Sequence, residues 1–175
     1  VTRIKDHIAV GDLYQACLTH SIVVSSEDDP WVLYQRLREK NPAPFAAFLQ
    51  LPEGSILCSS PERFLRLDEA RFVESRPIKG TRPRGGTPAA DSALLAELER
   101  SEKDRAEHMM IVDLERNDLG RVCEYGSVRV PQYMALERYS HVMHLVSTVD
   151  GRLAEDCDHL DALVLELFDQ AVQAG

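Results

Sequence analysis

The side chains most able to do chemistry lie in one basic segment, residues 76–85, which holds one lysine, three arginines, two prolines and two glycines. Like charge around Lys79 disfavours its ammonium form, which increases the amount of neutral amine that can act as a nucleophile. Between Glu74 and Asp91 the chain carries four cations and no acid, although its net charge is -9. The segment therefore predicts a local anion site, and the alternative is a solvated basic loop.

Two glutamates are candidates for acid–base or metal chemistry. Glu62 lies between two predicted strands, where its carboxyl group could act as a general acid or base beside the cationic segment, or could simply be a surface group. Glu107 is followed at i+3, i+4 and i+7 by the apolar residues Met110, Ile111 and Leu114. This spacing predicts that Glu107 faces inward on a helix, where a carboxylate needs a proton, a partner or a cation. Mg²⁺ accepts oxygen ligands of this kind.

Two histidines, His141 and His144, are three residues apart on a predicted strand. Side chains alternate along a strand, so this spacing sends the two rings to opposite faces, where they would not share a zinc ion. The sequence has no second histidine or cysteine cluster that would complete a metal site. One of the two histidines is therefore a candidate site residue, and a core or surface position is the alternative.

Composition argues against several classes of function. A net charge of -9 and a pI near 5.1 disfavour general binding to nucleic acid or membrane surfaces, which requires a cationic footprint. No apolar run approaches the roughly 20 residues of a membrane helix, and the first residues lack the apolar core of a signal peptide. The four cysteines are dispersed, which indicates reduced thiols. We therefore expect a cytoplasmic protein with no nucleic-acid or membrane partner.

The elements that must position these residues form an α+β pattern. Helices are predicted at residues 7–10, 31–41, 91–98 and 102–117, and strands at 14–17, 45–51, 55–59, 64–67, 71–75, 127–130 and 142–149. The four strands from 45 to 75 are predicted to form an antiparallel meander, and the stretch 80–88, rich in glycine and proline, a loop. Strands in runs, with helices inserted between them, favour α+β over an alternating parallel fold.

Several short blocks, in their order and wording, resemble the chorismate-binding enzyme family. These blocks are residues 11–15, 60–64, 77–81, 104–114, 116–121 and 144–147. The resemblance extends over about residues 11–165. It implies a sandwich of antiparallel sheets flanked by helices, with chorismate bound in a deep cleft.

The resemblance also implies a role for each candidate residue. The amine of Lys79 would add to the chorismate ring as the 4-hydroxyl leaves, and ammonia would then displace the lysine. Glu62 matches the general acid–base group of the family, and His144 matches an active-site histidine next to the ring. Glu107 matches a carboxylate that binds the Mg²⁺ holding the substrate carboxylate.

The residue at position 79 distinguishes the branches of this family. Members that make anthranilate or isochorismate typically carry a small residue, usually alanine, where this chain has Lys79. The lysine is typical of aminodeoxychorismate synthases, which use ammonia from a separate glutamine amidotransferase subunit. The neighbouring Gly80 and Thr81 are predicted to bind substrate. Anthranilate synthase component I is the alternative function, and a truncated, inactive fragment is another.

A single domain is expected, because no repeat, low-complexity tract or linker divides the chain. Compared with the family pattern, residues 1–175 are predicted to form a partial chorismate-binding domain. The N-terminal domain and the C-terminal third of the catalytic domain would be missing. On this expectation the segment alone is inactive, because the missing glycine-rich and acidic blocks supply further contacts to substrate and Mg²⁺.

Overall fold

The computed structural model describes residues 1–13, 16, 18–159 and 161 of the 175-residue chain. Within this part of the chain the helices are α1 (Thr2–Ala9), α2 (Pro30–Lys40), α3 (Pro88–Arg100) and α4 (Glu102–Val122). The strands there are β1 (Phe45–Leu51), β2 (Gly54–Ser60), β3 (Arg63–Leu67), β4 (Phe72–Arg76), β5 (Ile78–Pro83), β6 (Arg129–Arg138) and β7 (Val142–Arg152). The predicted α+β class is confirmed. Of the helices in the described residues, none has the length and apolar character needed to cross a membrane.

The larger sheet is organised around the long strand β7. One edge of β7 pairs with β6 over residues 143–150, and the other edge pairs with β5 over 142–146 and with β4 over 149–152, all antiparallel. Strand β3 extends the sheet beyond β4. Only Pro77 separates β4 from β5, and its carbonyl accepts a hydrogen bond from the Ser147 N–H at 3.2 Å. The chain therefore follows one edge of β7 as two short strands joined at a proline.

Strands β1 and β2 form a separate antiparallel hairpin. The prediction of one meander of four strands is therefore wrong, because β2 and β3 belong to different sheets. Pro61, which has no N–H to donate to a strand ladder, lies between them. Helix α2 covers the hairpin, and the rings of Trp31 and Tyr34 lie 5.2 and 5.5 Å from that of Phe48.

Polar residues set the boundaries of α3 and α4. Thr87 caps α3 by accepting a hydrogen bond from the Ala90 N–H at 3.2 Å, and Pro88 occupies the first helical position. Ser101 ends α3 and caps α4, accepting from the Asp104 N–H at 3.3 Å. These caps are local, and they make α3 begin earlier than its apolar pattern predicts.

Helix α4 runs to Val122, beyond its predicted end. Leu119 and Val122 are buried in a core that includes Val73 and Val149 of the sheet. This burial stabilises the last turn and outweighs the cost of about 1 kcal/mol that a glycine such as Gly120 imposes inside a helix. The predicted end of this helix at residue 117 is therefore wrong.

The stretch 80–88 is predicted to be a loop, but β5 extends through Pro83. In the described residues β5 and β6 each pair with β7 alone, so both are edge strands. An edge strand tolerates a proline, since the missing N–H need not face a neighbour. Strand β6, which contains Pro131 and irregular register, likewise exceeds its predicted length. Bulges break the alternation on which strand prediction depends.

The remaining predictions concern the N-terminal region and the cysteines. Helix α1 begins earlier than the predicted helix at 7–10. The predicted strand at 14–17 falls largely on residues 14, 15 and 17, which lie outside the described residues. Cys58, Cys123 and Cys157 are free thiols, as predicted, and Cys17 lies outside the described residues.

Gly85 lets the turn after β5 lie directly against the first turn of α3. A Cβ atom at this position would lie 2.6 Å from the carbonyl carbon of Ala90 and 2.7 Å from the nitrogen of Asp91. We predict that Gly85→Ala lowers the free energy of unfolding by about 1–3 kcal/mol, measured by urea denaturation.

Gly120→Ala is the matched control for this substitution. A Cβ atom on Gly120 would meet nothing within 4 Å, and alanine is favoured over glycine inside a helix by about 1 kcal/mol. Gly120→Ala should therefore stabilise the protein. Equal losses of stability in the two variants would contradict the packing argument.

Candidate active site

A bulge in β5 sets the geometry of the candidate site. Lys79 and Gly80 both oppose Leu145 of β7, because the register shifts between residues 78 and 81. An extra residue of this kind bends the strand and redirects its side chains. Gly80 has φ +92°, and a Cβ atom there would lie 3.0–3.2 Å from Leu98, Leu145 and Asp104. A glycine at position 80 is therefore required by the backbone conformation of the bulge and by its close packing. A contact between the Gly80 backbone and the substrate stays a prediction.

Glu62 reaches the start of β5. Its Oε1 accepts a hydrogen bond from the backbone N–H of Ile78 at 2.5 Å, and its own N–H lies 3.3 Å from the hydroxyl of Ser60. Much of the residue is exposed, yet desolvation of the carboxyl group raises the pKa of Glu62, outweighing the opposite effects of the Ile78 hydrogen bond and the charge of Lys79. Glu62 and Lys79 are therefore brought together at the bulge.

His144 lies on β7 opposite Thr81 of β5, and only 5% of its surface is exposed. The Thr81 hydroxyl oxygen and His144 Nδ1 are 2.8 Å apart. The other ring nitrogen, Nε2, is buried and has no hydrogen-bond partner among the described residues. Desolvation lowers the pKa of His144, so the ring is neutral near neutral pH and can give or accept one hydrogen bond. His141, by contrast, precedes β7 and is exposed.

The arginines around Lys79 are neutralised by carboxylates. Their ion pairs join Arg76 to Glu137, Arg82 to Glu97 and Asp104, and Arg84 to Asp91. The predicted anion site made of four cations is therefore wrong, because three of the four charges are already compensated. In the described residues no carboxylate oxygen lies within 4.0 Å of the Lys79 ammonium nitrogen. The like charge expected around Lys79 is thus largely compensated.

Glu107 does not face inward as predicted. Its side chain is 44% exposed, and its carboxylate lies 3.6 Å from Nζ of Lys103, one helical turn earlier. The buried face of α4 begins one residue later, at His108, and continues through Ile111 and Glu115. Within the described part of the chain, no group of three or more potential ligands could hold a metal ion.

The chemistry of Glu107 is nevertheless compatible with Mg²⁺. Lys103 is 80% exposed, and an exposed ion pair of this kind is weak enough to be displaced at little cost. Mg²⁺ commonly takes one or two carboxylates and completes its shell with water and substrate oxygens. Glu107 therefore fits as one ligand, and metal binding at this position stays a prediction.

Buried polar residues behind the bulge are missed by the sequence predictions. His108 has no exposed surface, and its ring lies 3.1 Å from the carbonyl oxygen of Lys79 and 2.7 Å from the hydroxyl of Ser147. Glu115 is 4% exposed, its Oε2 has no partner among the described residues, and its charge acts on Glu62. The seven-residue spacing of His108 and Glu115 was the available signal, since it places both on one helix face.

The family described as chorismate binding enzyme matches residues 1–168, and the chain belongs to this family. Aminodeoxychorismate synthase component 1 of Bacillus subtilis strain 168 is 50% identical over 163 residues, which cover 93% of the chain and 34% of that protein. Anthranilate synthase component 1 of Streptomyces coelicolor is 51% identical over 164 residues, covering 93% and 32%. Relatives of two branches are thus similar to the chain to the same degree.

The fold is shared with a solved structure of the same family. The crystal structure of anthranilate synthase component I from Streptococcus pneumoniae TIGR4 superposes with a TM-score of 0.79 at 35% identity, covering 94% of this chain and 35% of that one. The chain spans about a third of the length of these relatives. The antiparallel sheets and helices described above are therefore those of the chorismate binding fold.

The raised pKa of Glu62 makes a prediction about stability. A carboxyl group whose pKa is raised on folding destabilises the folded state once pH exceeds its unfolded value of 4.5, and the full penalty is reached above its folded pKa. We therefore predict that Glu62→Gln raises the melting temperature relative to the unmodified protein at about pH 8 and changes it little at about pH 4.

Glu69→Gln is the control for this comparison. Glu69 is an exposed residue of the turn between β3 and β4, so its substitution removes the same charge without removing a desolvated group. Its melting-temperature difference should stay nearly constant with pH. A Glu62→Gln difference that shrinks as pH rises would overturn the assignment.

Proposed function

We propose that the protein containing this chain is an aminodeoxychorismate synthase, which converts chorismate and ammonia to 4-amino-4-deoxychorismate. The observation that carries the proposal is the position of Lys79 on the bulge of β5, with Glu62 bound to the same strand. An amine beside a proton donor is the arrangement needed to replace a hydroxyl group through a covalent intermediate. The 50% identity to the Bacillus subtilis relative supports this branch.

In the proposed reaction the amine of Lys79, after its ammonium group gives one proton to solvent, attacks the chorismate ring while Glu62 protonates the departing 4-hydroxyl, which leaves as water. The Glu62 carboxylate then takes the proton that the attached lysine nitrogen loses. Ammonia attacks this adduct, Glu62 protonates the departing lysine nitrogen, and the proton released by the new amine returns to Glu62. The raised pKa of Glu62 favours the acid form that the first step requires.

The remaining residues would hold the substrate. The unpaired Nε2 of His144 offers one hydrogen bond to a ring substituent, and the Thr81 hydroxyl holds the ring of this histidine in place. The backbone of Gly80 would allow close approach of the substrate to β5. Mg²⁺ bound by Glu107 would neutralise the negative charge of the substrate carboxylate.

The proposed source of ammonia is a separate glutamine amidotransferase subunit. The name of the Bacillus subtilis relative, component 1, supports a protein that works with a second component. The free thiols of Cys58, Cys123 and Cys157 are consistent with a reducing compartment such as the cytoplasm, where we propose that the enzyme works.

Anthranilate synthesis is the second candidate function. The anthranilate synthase component 1 of Streptomyces coelicolor is 51% identical to the chain. This identity supports anthranilate synthesis as much as the 50% identity to the Bacillus subtilis relative supports aminodeoxychorismate synthesis. Lys79 distinguishes the two, because an anthranilate-forming enzyme does not need a lysine nucleophile at the ring.

The product formed from chorismate tests the branch assignment. We predict that the full-length protein, given chorismate, Mg²⁺ and ammonium, forms 4-amino-4-deoxychorismate, which chromatography with mass detection separates from anthranilate. Anthranilate as the main product would exclude the proposed function and support the second candidate.

The covalent role of Lys79 predicts an adduct that can be trapped. Incubation with chorismate and Mg²⁺ without ammonium should add the mass of the dehydrated substrate to the peptide containing Lys79, and Lys79→Ala should abolish it. Lys40→Ala is the control, because Lys40 lies at the exposed end of α2, distant in sequence from Lys79. The adduct should still form in this variant. An undiminished adduct in Lys79→Ala would exclude this residue as the nucleophile.

A further inference from the structure

The bulge leaves the carbonyl group of Lys79 in contact with α4. This carbonyl lies 3.1 Å from Nδ1 of His108, and Nε2 of the same ring lies 2.7 Å from the hydroxyl of Ser147. The hydroxyl in turn accepts a hydrogen bond from the backbone N–H of Met134 at 2.9 Å. Both His108 and Ser147 have no exposed surface. A continuous buried chain of hydrogen bonds therefore joins β6, β7, α4 and the backbone of the proposed nucleophile.

The chemistry of the groups, together with the burial of His108, sets the direction of the bonds in this chain. A carbonyl oxygen only accepts, so Nδ1 of His108 must carry a proton. A charged ring would be costly, because His108 is wholly buried and the cation Lys79 is nearby. The ring is therefore neutral with its proton on Nδ1, and Nε2 accepts a hydrogen bond from the Ser147 hydroxyl. The Met134 N–H donates to the oxygen of the same hydroxyl.

The hydrogen bond from His108 is needed to fix the orientation of the Lys79 carbonyl. Gly80 follows it with φ +92°, and a glycine can rotate the preceding peptide group at little cost because it has no Cβ. The hydrogen bond from His108 selects one orientation of that peptide. On the other side of the lysine, the Ile78 N–H is held by Glu62 at 2.5 Å. The backbone is thus held directly after Lys79 and at the N–H of the residue before it.

We propose that His108 and Ser147 are positioning residues that orient Lys79 toward the reacting atoms, a role that rests on the proposed function of Lys79 as nucleophile. Both side chains are fully buried, and their hydrogen bonds run to the backbone and to each other. They act through the peptide group from which that amine extends. A displacement of about 1 Å at a nucleophile costs about a hundredfold in rate.

The kinetic test replaces the donor and then restores it. In His108→Leu the Lys79 carbonyl loses its partner, and we expect kcat to fall about a hundredfold while KM stays within about threefold. His108→Asn places an amide N–H near the position of Nδ1 and should recover most of the lost kcat. His141→Asn, in an exposed histidine outside β7, is the matched control and should behave as the unmodified protein.

Equal losses in the leucine and asparagine variants, or a loss in KM alone, would overturn the positioning role. Ser147→Ala provides a milder variant should His108→Leu fail to fold. It leaves the histidine in place but frees its ring to turn, so it should also lower kcat with little change in KM, and unchanged kcat would count against the proposal.

A spectroscopic test separates this inference from the proposed function. In the full-length protein labelled with ¹⁵N-histidine, the His108 ring, assigned by its absence in His108→Asn, should show a proton on Nδ1 and none on Nε2. A proton on Nε2 would overturn the hydrogen-bond chain whatever the enzyme makes. If anthranilate is the product, the proposed function fails, and the positioning role then fails with it because Lys79 has no covalent step. The tautomer still reports the hydrogen-bond chain.

Discussion

The candidate site depends on one structural constraint, the bulge that places Lys79 and Gly80 opposite the single residue Leu145. Because β5 carries an extra residue there, Lys79 is displaced from the regular ladder and Gly80 packs against α3 and α4. The Lys79 carbonyl then lies within hydrogen-bond distance of His108. A bulge has no stability of its own. It persists because β7, which has strand partners on both edges, and the buried face of α4 hold the chain on either side of it.

The same arrangement assigns the charges of the basic segment. Its three arginines form ion pairs that fasten β4, β5 and the turn after β5 to neighbouring elements. They are structural groups, although they make the segment look like an anion site in the sequence. Lys79 is left as the cation of the segment available for chemistry, with Glu62 near it.

Two polar atoms at the site are buried without a hydrogen-bond partner in the described residues, namely Nε2 of His144 and Oε2 of Glu115. Such groups usually cost stability, and proteins retain them mainly where function requires it. His108 shows the opposite arrangement, because both of its nitrogens are paired. The two histidines therefore differ in their hydrogen bonding within the described residues, since one ring nitrogen of His144 is unpaired and both ring nitrogens of His108 are paired.

The amino-acid sequence by itself determined the identity and order of the candidate groups, the α+β class and the presence of α3 and α4, because these follow from residue chemistry and from the apolar pattern along the chain. The caps at Thr87 and Ser101 are short-range hydrogen bonds as well, although the apolar pattern places the start of α3 later. Tertiary structure alone decided that Pro83 lies in a strand, that α4 continues through Gly120 and that Glu107 is exposed. It also decided that His108 reaches the carbonyl of Lys79. These outcomes depend on pairing and packing between residues distant in the chain, which no local pattern encodes.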